Sequence, residues 1–487
     1  MRTGVRTGLA GAALLGLLGT AGPAAAAQPH EAASAEPATA TAAATDLRSV
    51  LFVGNNWAGT ADVVDPATFR RLKRIDVVPD LQARLAEIRS DPVRLGYYLA
   101  VQQLIGEGHD QYVDDMFTSR DGRFVYASRP SLADVVSIEL ATGRIAWRAR
   151  MDGYRSDHMA ISPDGRRLLV SDSTAQKVHV IDVALGKKVA AFASGDSPHE
   201  SNYSRDGSRI FHASIGMVYT PADQPLLDTS KGARYFEVVD AHTYRVLRRV
   251  DLGKVLAEQE AEQPGDQYPD NGAIRPMALS PDEKTAYFQL SFFHGYVVYD
   301  IAHRRITRVV HLPNRVPDLP RERYVLDSAQ HGLSINPAGT KLCVAGTMSD
   351  YAAIVPVAHP RDRVVVGGID KPYWSTNSAD GRFCYVSASG ADEVVVLSYA
   401  TGRVVKRFPV GDHPQRIRIG HVRSSIVNGA PADQDAAVTA ASVSQPVALP
   451  VDTPDRGAPA AAALPPVLGA LGALLGVGLL RRRRRTG

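Results

Sequence analysis

Apolar and polar positions along the chain fall into short alternating runs, and the runs are set around one recurring phrase. It reads Ser119-Arg120-Asp121-Gly122, Ser162-Pro163-Asp164-Gly165, Ser204-Arg205-Asp206-Gly207, Ser280-Pro281-Asp282-Glu283, Asn336-Pro337-Ala338-Gly339 and Ser378-Ala379-Asp380-Gly381. Gly122, Gly165 and Gly207 stand 43 and 42 residues apart, and Gly339 and Gly381 stand 42 apart. Glu283 lies 76 residues after Gly207 and 56 before Gly339, so extra loops interrupt the repeat there. The phrase is a turn with a mechanism: Pro presets φ, Asp bonds its own backbone, and Gly accepts a positive φ.

Each phrase sits between predicted strands. An apolar run such as Met159 to Ser162 precedes it, and Arg167 to Ser171 follows. Val178 to Asp182 makes a third strand; a tight turn at Ala184-Leu185-Gly186 leads to a fourth, Val189 to Phe192. Four short strands in a unit of about 42 residues predict one blade of a β-propeller. The third strand recurs as Val135 to Glu139, Phe236 to Asp240, Tyr296 to Asp300 and Val394 to Ser398. Ala61 to Asp65 matches it too, but no turn phrase stands before it. The missing strand is at the other end of the chain: Gln415-Arg416-Ile417-Arg418-Ile419 follows the last complete unit and can pair with the N-terminal strands. That pairing closes the ring and removes open sheet edges. The expected fold is all-β, a seven-bladed propeller at residues 48–422.

These residues resemble the YVTN family of β-propellers. Its phrase couples Ser-Pro-Asp-Gly to a Tyr-Val strand, Val-Ile-Asp, Thr-Gly and Gly-x-x-Pro. Tyr385-Val386, Thr401-Gly402 and Gly411-Asp412-His413-Pro414 supply those parts here. The resemblance implies the fold and says little about activity. The family includes binding and surface proteins, and related propellers include lactonases and the β-chain type of quinoprotein amine dehydrogenase. Neither the Trp-Asp signature nor kelch spacing is present.

Candidate chemistry follows from the topology. The turn phrases occupy one face. Pro79 to Asp110, Gly216 to Arg234, Lys254 to Ile274 and Pro313 to Gln330 are long insertions, and all four fall on the other face. Long loops on a rigid scaffold are where function concentrates; neutral loop growth is the bland alternative. Leu81 to Ile105 reads as partly helical, and Asn55-Asn56-Trp57 reads as structural. Counting back from each turn phrase gives a ring at the mouth of the central channel on the decorated face. It comprises Asp114, Asp115, Asp157, His158, His199, Glu200, Arg275, His331, Tyr373, Trp374 and His413. His109, His294 and Tyr351 fall near that face. Convergent ionisable groups suit three chemistries: a ligand or partner pocket, a copper or zinc site on His158, His199, Glu200 and His331, or hydrolysis with a His general base. Strand-start residues that only bind water are the fourth reading. No His-x-x-x-His or Cys-x-x-Cys pair, nucleophile elbow, phosphate loop or dinucleotide fingerprint occurs in the body.

The ends carry addresses. Arg2 and Arg6, the apolar Leu9 to Ala21 and the small Ala25-Ala26-Ala27 read as a signal peptide at 1–27. A polar spacer at 28–47 and an Ala/Pro-rich linker at 423–459 are expected to be disordered. Residues 460–480 are uncharged and long enough to span a bilayer, and Arg481 to Arg485 follow as a cytoplasmic stop-transfer signal. The tail resembles a cell-wall sorting signal, but Leu449-Pro450-Val451-Asp452-Thr453 is followed by Pro454 rather than Gly. The net charge of +4 comes from these ends: without their seven arginines, 48 basic residues face 51 acidic ones. Charge therefore gives no support for nucleic-acid binding.

Two cysteines are too few for a disulfide scaffold. Cys343 and Cys384 fall in second strands of adjacent blades with opposite parity, so they can face each other. Packed sheets stand about 10 Å apart while a disulfide needs Cβ atoms about 4 Å apart. The expectation is two buried thiols, with a bond as the alternative.

The expected protein is therefore a monomeric, exported, membrane-anchored propeller with a cytoplasmic C-terminus. It binds a small molecule or a protein at the cell surface through its decorated face. The alternative is an enzyme, lactonase-like or a metal-dependent oxidoreductase, working from the same ring. Deleting residues 460–487 is expected to release the protein into the medium. Covalent recovery of the full-length protein in the wall fraction, minus its tail, would instead mean that a sortase accepts the imperfect motif.

Overall fold

The computed structural model describes residues 46–217, 230–262, 268–269, 271–325 and 328–428. The expected leader, span and tail, with most of the spacer and linker, lie outside the described residues. Among the described residues no helix is long and apolar enough to cross a membrane.

Seven four-stranded antiparallel sheets form the seven blades. Six are built from consecutive strands. The first is composite: its innermost strand is Pro414–Arg423, which pairs antiparallel with Leu47–Asn55. Leu51 faces Ile419 and Val53 faces Ile417, so the predicted closing segment does close the ring. The pairing runs further than expected, to Leu47 opposite Arg423. A short helix, Ser424–Val427, then buries Val427. The propeller thus exceeds residues 48–422 at both ends, taking in a little of the expected spacer and linker. Innermost strands of successive blades touch in an unbroken circle.

The turn phrase recurs as one hydrogen-bond pattern. Ser162 Oγ donates to Asp164 Oδ1 (2.5 Å) and accepts from Arg167 N (2.9 Å). The same pair of bonds is made by Ser119, Ser204, Ser280 and Ser378. Asn336 takes the serine's place in blade six, where its Oδ1 accepts from Lys341 N (3.0 Å). The fourth position needs a positive φ; Gly165 has φ +68°, and Glu283 accepts φ +56° where Gly is replaced. Second strands are almost wholly buried, with Leu168, Leu169 and Val170 in one blade and Leu342, Cys343 and Val344 in another. They pack between neighbouring sheets, as both faces of a blade require.

Insertions on the decorated face are partly helical. The first holds α1 (Leu81–Arg89) and α2 (Pro92–Leu104), and the join between blades four and five holds α3 (Leu252–Glu262). Asp91 caps α2 by accepting from Val93 N and Arg94 N, and Pro92 opens the helix. Helices α1 and α2 are cemented to blade two by charge. Fully buried Arg129 makes two bonds to Asp134 (2.7 and 2.8 Å) and reaches Asp80 just before α1. Arg148 joins Asp134 to Glu87 of α1.

Cys343 and Cys384 are bonded, against the expectation of free thiols. Their placement on second strands of adjacent blades is as read, and the inward reach of both side chains closes the gap between sheets. The bond closes a 41-residue separation. Its removal by Cys343→Ala/Cys384→Ala should cost about 2–4 kcal/mol by loop-closure entropy, measured by chemical denaturation. Two titratable thiols in the denatured, unreduced protein would contradict the bond.

Candidate functional site

Inner strands do not enter the channel mouth regularly. Five of the seven slip register at the ring positions. In blade three Ser156 faces Asp172 but Met159 faces Val170, which leaves one residue extra. The same slip lies between Pro198 and Ser201, Ile274 and Met277, Pro372 and Trp374, and in the closing strand between Pro414 and Ile417. A β-bulge bends the strand and re-aims side chains. Here the bulged stretches carry Asp157, His158, His199, Glu200, Arg275, Tyr373 and Arg416.

Strand starts, bulged or regular, are tied to the blade before them. Ser128 Oγ donates to the carbonyl of Asp157 (2.8 Å), and Ser171 Oγ to that of His199 (2.7 Å). Gln289 Nε2 donates to Gly332 O (3.1 Å) and Thr347 Oγ1 to Pro372 O (2.7 Å). Carboxylates do the same at the channel itself. Asp115 Oδ2 accepts from Met159 N (3.1 Å) of the next blade, and Glu200 Oε2 from Met277 N (3.2 Å). Asp115 also receives Arg418 of blade one through two bonds (2.8 and 2.7 Å).

The predicted ring is gathered with one exception. The His158 and His199 rings lie 3.9 Å apart between centroids, and His331 is 5.6 Å from His199 and 6.1 Å from His158. Tyr373 stacks on His331 at 4.2 Å. Trp374 lies under the Arg416 guanidinium, 3.6 Å from its ring centroid. His158, His199 and His331 can each bring a ligand atom within 4.8 Å of the others, as can Asp114, Asp157 and His158. Glu200, read as a metal candidate, is not in either set; its oxygens are committed to Asn202 and Met277.

His413 is the exception. Its backbone has φ +53°, matching Ser197 (φ +48°) and Lys371 (φ +43°), each just before the proline that opens an inner strand. It is a turn residue, so its side chain leaves the ring. Its imidazole stacks on Trp57 at 3.8 Å, and His109 covers the other face of Trp57 at 3.8 Å. Burial pushes the His413 pKa down to about 3. Asn55 and Asn56 are structural as read: Asn56 Nδ2 donates to Val113 O (2.7 Å) and Asn55 Oδ1 accepts from Gly411 N (3.0 Å). His294 and Tyr351 are likewise engaged, with Tyr324 and Gln330.

Blade one contributes Arg416 in place of His413, with Arg418 beside it. The sequence signal was available: two arginines alternate with Ile417 and Ile419 on a strand assigned to the channel, where a charge must be paired. Arg155 was also missed. It bonds Asp157 and Ser173 and takes Gln111 Oε1 (3.3 Å) at the end of the first insertion. The decorated loops therefore reach the ring.

Four guanidiniums (Arg155, Arg275, Arg416, Arg418) meet four carboxylates (Asp114, Asp115, Asp157, Glu200). Burial pushes Asp114 up to about 7, against the pull of Arg416 and with help from the Asp157 and Asp115 charges. Burial alone would raise Asp115, but the Arg418 and Arg416 charges outweigh it and hold the carboxyl below its ordinary range. Burial, followed by nearby guanidiniums, drives His158, His199 and His331 far below the usual histidine range, so all three are neutral near pH 7. Among the described residues, six buried polar atoms in this cluster have no hydrogen-bond partner. They are Asp114 Oδ2, the Nδ1 atoms of His158, His199 and His331, and Arg416 Nε and Nη1.

The fold and site define a seven-bladed β-propeller with a charged, histidine-lined channel mouth. No family model matches the chain, and no curated protein matches it. Among solved structures it is similar to a chain of Kuenenia stuttgartiensis hydrazine synthase, at 16% identity and TM-score 0.46, covering 65% of this chain and 96% of that one. It is also similar to the β-propeller domain of Myceliophteria thermophila Cps50 (Swd1), at 15% identity and TM-score 0.44, covering 61% and 86%. These are likenesses of fold.

The Asp115–Arg418 pair gives a direct test. Asp115→Asn leaves a guanidinium in the channel with less compensation and should cost about 3–5 kcal/mol. Asp115→Asn/Arg418→Met should cost less. Because the folded-state pKa of Asp115 is depressed, its contribution is complete above the unfolded value and fades as pH falls through the folded one. Denaturation curves should thus show wild type and Asp115→Asn converging below about pH 4. A cost under about 0.5 kcal/mol at pH 7 would remove the clamp from the account.

Proposed function

We propose that this protein is a YVTN-type surface propeller that binds a small ligand in the central ring of its decorated face. The expected leader and membrane anchor belong to the same reading, which puts the ring outside the cell. The observation that carries the proposal is the cluster of six buried polar atoms around His158, His199 and His331 that have no hydrogen-bond partner among the described residues. Folded proteins satisfy nearly all buried polar groups, and an unmet cluster marks a place where something else supplies the partner. Water can satisfy such atoms singly. It does not account for three imidazoles and an arginine brought together by strand bulges, when serines would hold water at less desolvation cost.

The four insertions, the Trp57 stack and the Gln111–Arg155 bond support the same face. The side chains of the ring are packed closely, which favours a ligand of few atoms in the ring over a protein side chain. A macromolecular partner would meet the loops above it.

A binding site held at the expense of stability should show as such. His199→Leu removes an unpartnered buried polar group, a penalty of about 1–3 kcal/mol. The ligand-free variant is expected to melt at or above the wild-type temperature. The full chain is then screened by thermal shift against lactones, primary amines, small carboxylates and first-row divalent metals. At least one class should stabilise wild type and fail to stabilise His199→Leu. Destabilisation by His199→Leu, together with no stabilising class, would return the ring to a purely architectural role.

A further inference from the structure

We infer that His158, His199 and His331 together bind one first-row divalent transition-metal ion, with a small anion completing its coordination. The inference rests on reading the central ring as a ligand site and names what the site takes. Its ground is geometric. Three imidazoles from three blades present ligand atoms all within 4.8 Å of one another. Each has Nδ1 buried without a hydrogen-bond partner among the described residues. No local motif brings them together. His158 and His199 are placed by bulges, and the Gly332 carbonyl beside His331 is held by Gln289.

The donor set selects the ion. Imidazole nitrogens suit zinc, copper, nickel and iron, whereas calcium and magnesium require oxygen cages. Metal ligation needs neutral imidazole with a ring nitrogen lone pair facing the ion. A tetrahedral zinc ion with bonds of about 2.0–2.1 Å holds its ligands about 3.4 Å apart. Separations up to 4.8 Å therefore require only small ring rotations to close on an ion. Three protein ligands leave a position open, the arrangement of a working rather than a purely structural zinc site.

Arg416 is the obstacle and also the explanation of the anion. Its Nη2 donates to Nε2 of His158 in close contact. A metal taking that nitrogen displaces the guanidinium. Arg416 can yield, since among the described residues Nε and Nη1 have no hydrogen-bond partner and the ion pair of Nε with Asp114 Oδ1 is long at 3.8 Å. The ring is otherwise balanced, four cationic side chains against four carboxylates, so a divalent ion adds uncompensated charge. A small anion in the open position, hydroxide or a carboxylate, offsets half of that added charge beside the displaced guanidinium. Asp114 Oδ2, unpartnered and 4.0 Å from His158 Nε2, is the protein group placed to assist.

The purified full chain, stripped with chelator and dialysed, is titrated with Co(II) and followed by visible absorption. Metal content after zinc loading is measured in parallel. Wild type should take up one ion per chain with the intense d–d bands of a low-coordinate, nitrogen-rich site. His199→Ala and His331→Gln, checked by circular dichroism for native fold, should lose both the bands and stoichiometric uptake. His303→Ala, an exposed histidine away from the ring, should keep them. Arg416→Gln removes the competing cation and should bind Co(II) more tightly than wild type, a result that random surface binding would not give. Failure of wild type to bind one ion, or unchanged bands in folded His199→Ala and His331→Gln, overturns the metal site. If an organic class in the thermal-shift screen still depends on His199, the ring stands as a ligand site and only the metal falls. If no class does, both readings fall together.

Discussion

The carboxylate of Asp115 is the constraint on which the channel mouth depends. It lies at the start of blade two, yet it accepts the Met159 N–H of blade three and both arms of Arg418 from blade one. One side chain thus joins three blades, including the composite blade whose two halves come from opposite ends of the chain. A ring has no free edge only if that seam holds. Hydrophobic packing between blades is strong but indifferent to sliding by a residue, whereas a charged, two-armed bond and a backbone bond to the same carboxylate fix the alignment. Glu200 repeats the backbone part of this arrangement between blades four and five. The hydroxyls of Ser128, Ser171, Thr347 and Ser389 tie strand starts to preceding blades elsewhere.

The architecture was legible because its signals are local and repeated. Ser-x-Asp-Gly specifies a turn from within, and its recurrence gave the blade, the count and the site of closure. Even the irregular phrase ending in Glu283 keeps the turn, since the serine and aspartate bonds outweigh a strained φ. The disulfide was less legible. Parity placed Cys343 and Cys384 face to face, but the separation of two sheets at that point is set by the packing of both, which no local pattern reports.

The ring was legible in membership and not in aim. Counting back from each turn found ten of its residues, because topology alone brings strand starts to the channel. It misassigned His413 because a single positive-φ residue before a proline turns the side chain away, onto Trp57. It missed Arg416 because no turn phrase follows the closing strand to count back from: the ring residues are the two after Pro198 and the two after Pro372, and the same step after Pro414 leads to Gln415 and Arg416. Bulges leave little trace in a single sequence: alternation is broken for one residue and then resumes.

The same bulges connect architecture to chemistry. A regular inner strand sends alternate side chains to the two faces of its blade, into the inter-blade core, where a histidine or arginine would have to be paired within the sheet. The extra residue turns one or two side chains along the channel axis without disturbing the core below. Ionisable groups from several blades can then meet while each blade keeps its own hydrophobic interior. What remains costly is their desolvation. The ring offsets much of it with internal ion pairs, as at Asp115–Arg418 and Arg155–Asp157, but only loosely at Arg416, 3.8 Å from Asp114, and not at the Nδ1 atoms of the three imidazoles. Their concentration at one point, on the face bearing the helical insertions, distinguishes them from polar groups that serve the fold.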